Sequence, residues 1–362
     1  MDRQTVEVYE RRAKAWAAAR PAKHPERAAQ LGRDALADFA RVDLGCGHGP
    51  YLPVLGHPVV GIDASLTLLR LARAEHPAAL LVRGDLVALP CRDRSLGAGW
   101  ARNSYVHVRE EDLPVAFARL HWALAPGAPV AISMLGTDDP TAGRDDFPGR
   151  MFSKPSADRM RDLLWGAGFE DVAVDGAEVM WATGRRARAL PDTVGSGMRV
   201  LVCGLNPSVV AADAGVGYAG TTNRFWSAAL EAGLVTKARD PAHALQVDGV
   251  GMTDFVKRAT PRASEVTRDE FREGGLRVLR LVEWLRPAAV LVVGLAGWRA
   301  AVNPKAVPGW QGSGAAAPVY VMPSTSGLNA HTRMPDLVAH MQAVLSVVGP
   351  FDADACSSEQ LR

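Results

Sequence analysis

One run of residues constrains this 362-residue chain more than any other: Met198 to Leu205, apolar but for Arg199 and Gly204, followed at once by Asn206-Pro207-Ser208. An unbroken apolar run of that length reads as a buried strand, and strands buried on both faces belong to sheets covered by helices on each side. Proline fixes φ and has no backbone donor, so strand pairing has to stop at Asn206. A strand whose C-terminal end breaks into a polar loop is where open α/β sheets take ligands. The run therefore predicts an α/β fold with a site at Asn206.

A second break of the same kind lies far upstream. Arg41-Val42-Asp43-Leu44 runs into Gly45-Cys46-Gly47-His48-Gly49, whose glycines permit positive φ and remove side chains that would keep a ligand from the backbone. Pro58–Ile62 is another strand, ending in Asp63, where a doubly wound fold holds ribose hydroxyls. Leu80–Val82 leads to Gly84-Asp85, and Thr5–Ala19 is rich in helix formers. A chain of this length exceeds one hydrophobic core, so the two breaks are expected to belong to two domains. Residues 185–197, with Arg185, Arg186, Arg188, Pro191 and three residues Gly195-Ser196-Gly197, read as a solvated linker between them.

The first set of features resembles the class I S-adenosylmethionine-dependent methyltransferases over roughly residues 35–180, with a loop that reads DxGxGxG and not the GxGxxG of a dinucleotide site. The resemblance implies a Rossmann-like methyltransferase fold for residues 1–184. It also implies that Asp43, Gly45, Gly47 and Gly49 cradle the methionine end of S-adenosylmethionine, with Asp63 at the ribose and Asp85 at the adenine. His107 falls where such enzymes line the substrate pocket. Nothing in the residues names the methyl acceptor.

The second set resembles the mismatch-specific uracil- and thymine-DNA glycosylases over residues 198–350, in three ordered blocks. These are Gly204–Ser208 through Gly215–Gly220 to Asn223-Arg224-Phe225-Trp226; Gly249–Asp254 with Ala263-Ser264-Glu265; and Val321–Asn329. The resemblance implies a three-layer α/β/α uracil-DNA-glycosylase-like fold, with Asn206 as the catalytic residue. Tyr218 would stack on an extruded base, with Ser208 and Ala211 also binding it and Ala211 leaving room for a 5-methyl group. Ser326, Gly327, Leu328 and Asn329 would enter the duplex, Leu328 as the wedge. An amide cannot be a strong base, so Asn206 predicts slow hydrolysis that leans on leaving-group stabilisation. Ser208 stands where close relatives have glycine, which narrows the pocket, and Ala330 stands where some carry an arginine that probes the opposite strand, which weakens the expectation of strict recognition of an opposing guanine. Phe225 and Trp226 read as core at the start of a helix that runs through Ala229, Leu230 and Leu234, and Leu276, Leu279, Val282 and Leu285 as a packing stripe.

Composition enters as exclusion. A net charge of +2 requires any nucleic-acid surface to be local. Four scattered cysteines without a CxxC pair argue against a zinc ribbon, a disulfide framework or an iron–sulfur glycosylase, so no metal is expected. No apolar run reaches membrane-spanning length, and the expectation is a cytoplasmic monomer acting on double-stranded DNA with a mismatched or damaged base. Residues 351–362 read as a tail. Two other functions compete: a methyltransferase delivered to nucleic acid by the second domain, and a second domain that recognises damage without catalysis.

Overall fold

The computed structural model describes residues 2–136, 146–312, 316–349 and 351; the expected tail, with Cys356, lies outside the described residues except for Phe351. The chain divides into two compact units, Met1–Ala187 and Arg188–Arg362.

In the first unit seven strands form one sheet: β1 (Ala40–Leu44), β2 (Val59–Asp63), β3 (Leu80–Arg83), β4 (Leu96–Arg102), β5 (Pro129–Leu135), β6 (Phe169–Asp175) and β7 (Val179–Arg186). Their spatial order is β3-β2-β1-β4-β5-β7-β6, the first five parallel and β7 antiparallel to both neighbours. The chain moves outward from β1 to β3 and then crosses back to β4, so the order reverses between β1 and β4. Such a switch point opens a crevice at the C-terminal strand ends. Gly45 and Asn103 stand at that crevice. The opening helix, Arg3–Ala18, has its N-terminus capped by the Asp2 carboxylate on Thr5 N–H.

In the second unit β8 (Val200–Gly204), β9 (Val250–Asp254), β10 (Ala289–Val293), β11 (Gly309–Trp310) and β12 (Val319–Met322) order as β11-β12-β10-β8-β9, parallel except for the short β11. Successive residues of β8 point to opposite faces. Val200 and Val202 join Phe225, Trp226 and Met341 in one buried cluster, while Leu201 and Cys203 join Phe271, Val278 and Trp298 in another. Helices therefore cover both faces, in three α/β/α layers. The order reverses between β8 and β10, and Asn206 follows β8.

Three sequence expectations differ from the structure. The helix Arg268–Leu285 buries Phe271, Gly274, Val278, Val282 and Leu285, whereas Leu276 is exposed, because it sits off the face that packs on β9. A side chain at Gly274 would strike the Phe255 carbonyl oxygen at 2.0 Å, so close approach of helix and strand decides which face turns inward. The helix Phe225–Glu231 stops before Leu234, at Gly233, which has φ +75°. Residues 185–197 are not a solvated linker. Arg186 closes β7 with its guanidinium buried and donating to the Leu124 carbonyl at 2.6 Å. Thr193 pairs with Met252, and Arg188 grips Asp213. Asp192 is 4% exposed and accepts from Lys257 Nζ at 2.7 Å, Arg277 Nη1 at 2.6 Å and Thr253 Oγ1 at 2.6 Å. The basic and acidic residues of this stretch thus find partners within their own units instead of water.

Candidate functional sites

Asn206 is held by the chain that leaves β9. Residues 255–260 run alongside 204–208, with Phe255 N–H bonding to Gly204 O, Val256 N–H to Leu205 O and Thr260 N–H to Pro207 O. The Asn206 amide nitrogen donates to Thr260 Oγ1 at 2.8 Å, to Pro207 O at 3.2 Å and to Arg258 O at 3.4 Å. Thr260 Oγ1 itself donates to Arg262 O at 2.8 Å, so it can only accept from Asn206. All three partners are acceptors, and the orientation of the amide is fixed: nitrogen inward, Oδ1 away from them.

Ser208 is exposed and its hydroxyl caps the helix Val209–Ala214, accepting from Ala211 N–H at 3.2 Å; Ala211 itself is buried in the first turn. Tyr218 has φ +58° and stacks one face on Phe225, the ring centroids 4.1 Å apart and the planes 19° apart. Its hydroxyl reaches under β8, where a side chain at Gly204 would meet it at 3.0 Å and Asp254 Oδ1 at 2.3 Å. Burial and the Asp254 charge push the Tyr218 hydroxyl well above its ordinary pKa, and burial pushes Asp254 up to about 6. Trp226 anchors the loop carrying Tyr218 by donating to Gly217 O at 2.8 Å.

The segment after β12 forms a turn, Asn329 N–H bonding to Ser326 O at 3.0 Å, with Leu328 at its tip and 96% exposed. No packing reason accounts for an apolar tip that fully exposed. A side chain at Gly327 would lie 2.6 Å from Thr222 Cβ, which leaves glycine as the fitting residue. The turn is braced from beneath by Arg224, whose guanidinium donates to Thr332 O at 2.5 Å, Asn329 O at 2.8 Å and Ser326 O at 3.3 Å. Asn329 closes the brace by donating to Ser324 O at 2.8 Å. Sequence reasoning missed Thr260 and Arg224 as supports. Arg224 stood inside a conspicuous block, whereas Thr260 carried no signal.

In the first unit the glycine loop follows β1, and Asp63 Oδ2 accepts from Gly47 N–H at 2.8 Å while Oδ1 accepts from Ser65 N–H at 2.8 Å. Burial pushes the Asp63 carboxyl up to about 6. Asp43 is 1% exposed with Oδ2 unpartnered; burial and the Asp63 charge raise its pKa well above the ordinary range. The opening helix lies over the loop. Trp16 would be 2.8 Å from a side chain at Gly47, and Glu10 accepts from Leu66 N–H at 2.6 Å. One cavity of about 940 Å³ reaches Gly45 and Cys46, and another of about 460 Å³ reaches Ala64, Gly84 and Asp85. The orphaned Asp43 oxygen and the two cavities flanking Asp63 suit an elongated ligand with an amino-acid end, a ribose and an adenine.

These two sheet edges belong to two α/β domains, each with its own candidate site. Residues 42–132 match the family model of a methyltransferase domain, and residues 191–347 that of the uracil DNA glycosylase superfamily. The chain thus carries a methyltransferase domain followed by a domain of the uracil DNA glycosylase superfamily. Among solved structures it is similar to a chain of the complex between the Haloferax volcanii Trm112 methyltransferase activator and a methyltransferase: 17% identity, TM-score 0.42, 51% of this chain and 96% of that one. It is also similar to a methyltransferase dependent on S-adenosylmethionine from Mesorhizobium loti, with 20% identity, TM-score 0.36, and 43% and 96% of the two chains covered. One from Archaeoglobus fulgidus shows 12% identity, TM-score 0.40, and 45% and 92% coverage. Among the described residues no helix is long and apolar enough to cross a membrane.

Proposed function

We propose that the C-terminal domain is a mismatch-specific DNA glycosylase that hydrolyses the N-glycosidic bond of uracil opposite guanine. The observation that carries this reading is the fixed amide of Asn206. With its nitrogen committed to three acceptors, Oδ1 is the group available to accept a hydrogen bond from water. A water so oriented can approach the sugar carbon of an extruded nucleotide, as base-excising enzymes require. Leu328 is the wedge that fills the vacated stack, and Arg224 keeps it raised. Tyr218, backed by Phe225, is the stacking platform for the base, worth about 1–3 kcal/mol. Because an amide takes no proton, the chemistry depends on how well the departing base anion is stabilised.

The reaction stops at an abasic site. Lys257, on the segment that runs alongside the loop, has its ammonium in a buried bond with Asp192 at 2.7 Å and is not free to form a Schiff base. Ala211 contributes no bulk beyond one methyl group, which supports acceptance of thymine as well; excision from G·U with none from G·T overturns that part.

The N-terminal domain binds S-adenosylmethionine, a donor of methyl groups. Gly45, Gly47, Gly49 and Asp43 hold its methionine end, Asp63 its ribose and Asp85 its adenine.

The test is a labelled duplex with one G·U pair, treated with the full chain or with Asn206→Ala and developed in alkali. The parent is expected to cut, and the variant to be slower by about 10²-fold or more in single turnover. Binding without cleavage by the parent overturns the reading.

A further inference from the structure

The larger cavity of the first unit extends well past the residues assigned to the cofactor. It spreads from Gly45 across the ends of β4, β5 and β7, to Arg102, Leu135 and Val179. Arg102, the last residue of β4, is half-buried. Its Nη1 donates to Ser133 Oγ on β5 at 3.0 Å, and its guanidinium lies 5.4 Å from the ring centre of Trp181 on β7. Its Nε is buried and has no hydrogen-bond partner among the described residues. Burial lowers its pKa; the neighbour that works against this is the Tyr51 hydroxyl, not a carboxylate, and among the described residues no carboxylate pairs with it. A half-buried guanidinium without a carboxylate beside it is partly desolvated, a cost that an anion bound in the cavity would offset. Its planar fork matches a carboxylate.

The position of Arg102 bears on which ligand supplies that anion. Gly45, Asp63 and Asp85 stand at the ends of β1, β2 and β3, on one side of the switch point. Arg102 leans to the other side, over β5 and β7.

A second feature of the same cavity is a polar chain that joins the opening helix to the sheet edge. Tyr9 Oη lies 2.7 Å from His107 Nε2, and His107 Nδ1 lies 2.8 Å from Met151 O. A carbonyl only accepts, so Nδ1 carries the proton and Nε2 accepts from the Tyr9 hydroxyl. Arg150 donates to the Tyr9 oxygen at 3.0 Å. Tyr9, His107 and Arg150 line the cavity, with Trp16, Tyr51 and Phe152 as aromatic walls.

We propose that this cavity takes a small aromatic molecule bearing a carboxylate, anchored on Arg102, as the second ligand of the domain beside its cofactor. The proposal rests on the reading of the domain as one that binds S-adenosylmethionine. The carboxylate lies against the Arg102 fork, the aromatic walls enclose the body, and a hydroxyl or amine at the far end meets the Tyr9–His107 pair. A nucleic-acid strand is not the ligand of this cavity.

The test is calorimetric titration of the full chain, of Arg102→Gln and of Arg102→Lys, each checked for an unchanged thermal midpoint. The first arm compares S-adenosylhomocysteine with 5′-methylthioadenosine, which lacks the amino-acid end. The second arm, run with and without S-adenosylhomocysteine, titrates a panel of hydroxybenzoates, aminobenzoates and hydroxyphenylacetates against their neutral amides. The expected result is at least one acid that binds tenfold or more tightly than its amide. Arg102→Gln removes that preference and Arg102→Lys restores part of it, while nucleoside binding is unchanged in both. If Arg102→Gln weakens S-adenosylhomocysteine tenfold but leaves methylthioadenosine alone, the arginine serves the cofactor's own carboxylate and the proposal falls. No preference for any acid over its amide, or displacement of a bound acid by a single-stranded oligonucleotide, also overturns it. Failure of both nucleosides to bind, with acids still selected through Arg102, refutes the cofactor reading and leaves the anion site standing.

Discussion

Both units put their candidate site at the C-terminal edge of a parallel sheet where the strand order reverses, yet they treat buried charge in opposite ways. In the second unit Asp192, Lys257 and Arg277 are each 4% exposed or less and bonded to one another, and the residues offered to the ligand, Asn206 and Leu328, are uncharged. Among the described residues of the first unit, Asp43 is buried with an orphaned oxygen and Arg102 has no carboxylate beside it. A buried ion cluster closed on itself leaves no unpaired charge for a ligand to complete. An unpaired guanidinium at the wall of a cavity is what a small, polar ligand completes. The difference teaches that sheet topology locates a site, whereas the state of its buried charges indicates what kind of ligand enters.

The largest effect that would test this contrast comes from removing one member of the closed cluster. Asp192→Ala leaves Lys257 and Arg277 buried with only the Asp254 carboxylate, 3.9 Å from Lys257, to offset them, and should cost the second unit about 3–5 kcal/mol, read as a lower urea midpoint for its transition. Asp43→Asn, which replaces an unpaired buried carboxyl by a neutral amide, should have the opposite sign, from no change to a gain of about 1–2 kcal/mol at pH 8. Losses of similar size from both substitutions would erase the distinction.

The pH dependences sharpen the same contrast. Burial alone pushes Asp192 up, but the Arg277 and Lys257 charges with the Lys257 and Thr253 hydrogen bonds outweigh it and hold the folded pKa below the usual value. Its contribution is therefore complete above the ordinary carboxylate range, at about pH 4, and is lost as pH falls further toward the folded value. The folded pKa of Asp43 is raised, so the native state binds the extra proton. The stability of the first unit should then decline as pH climbs from about 4 through that raised value. Asp43→Asn should flatten this slope, and Asp192→Ala should flatten the acid limb of the second unit. Urea midpoints from pH 3 to pH 9 check both, and an unchanged slope in either variant contradicts the assigned charge state.

The reversal points themselves could be read in advance, because a buried parallel strand must be apolar throughout and must end where proline or glycine stops it. The run to Asn206 and the loop Asp43–Gly49 carry that mark in adjacent residues. Side chains that act across the fold do not. Tyr9 and His107 are 98 residues apart and Asn206 and Thr260 are 54 apart, and no local pattern distinguishes their partners from other tyrosines and threonines. Arg102 carries no local mark in the sequence, and the lack of a carboxylate beside it among the described residues is a fact of the surroundings. The apparent linker failed for a related reason. Arginine, proline and aspartate near a boundary have the composition of a loop, but Asp192 had two cations waiting, Lys257 after β9 and Arg277 in the helix Arg268–Leu285.

Next in size is the wedge. Leu328→Ala leaves the vacated stack unfilled, so excision of uracil from a G·U duplex should fall about tenfold to thirtyfold. The same variant should cleave uracil in a single strand at the parental rate, since nothing there has to be unstacked. Equal losses on both substrates would mean that Leu328 shapes the pocket and does not enter the helix.

The smallest effect expected is the most specific to the fixed amide. Thr260→Val keeps the volume but removes the one side-chain acceptor of the Asn206 nitrogen, leaving the two longer bonds to Pro207 O and Arg258 O. An amide held less firmly samples its flipped orientation, in which a nitrogen replaces Oδ1 at the water position. Single-turnover excision should fall about threefold to tenfold, on the scale of one net hydrogen bond of about 1 kcal/mol, with binding to the uncleaved duplex unchanged. Thr260→Ser restores the acceptor and should restore the rate. If the serine variant is as slow as the valine one, Thr260 acts by packing, and the orientation of Asn206 has to be set by the backbone carbonyls alone.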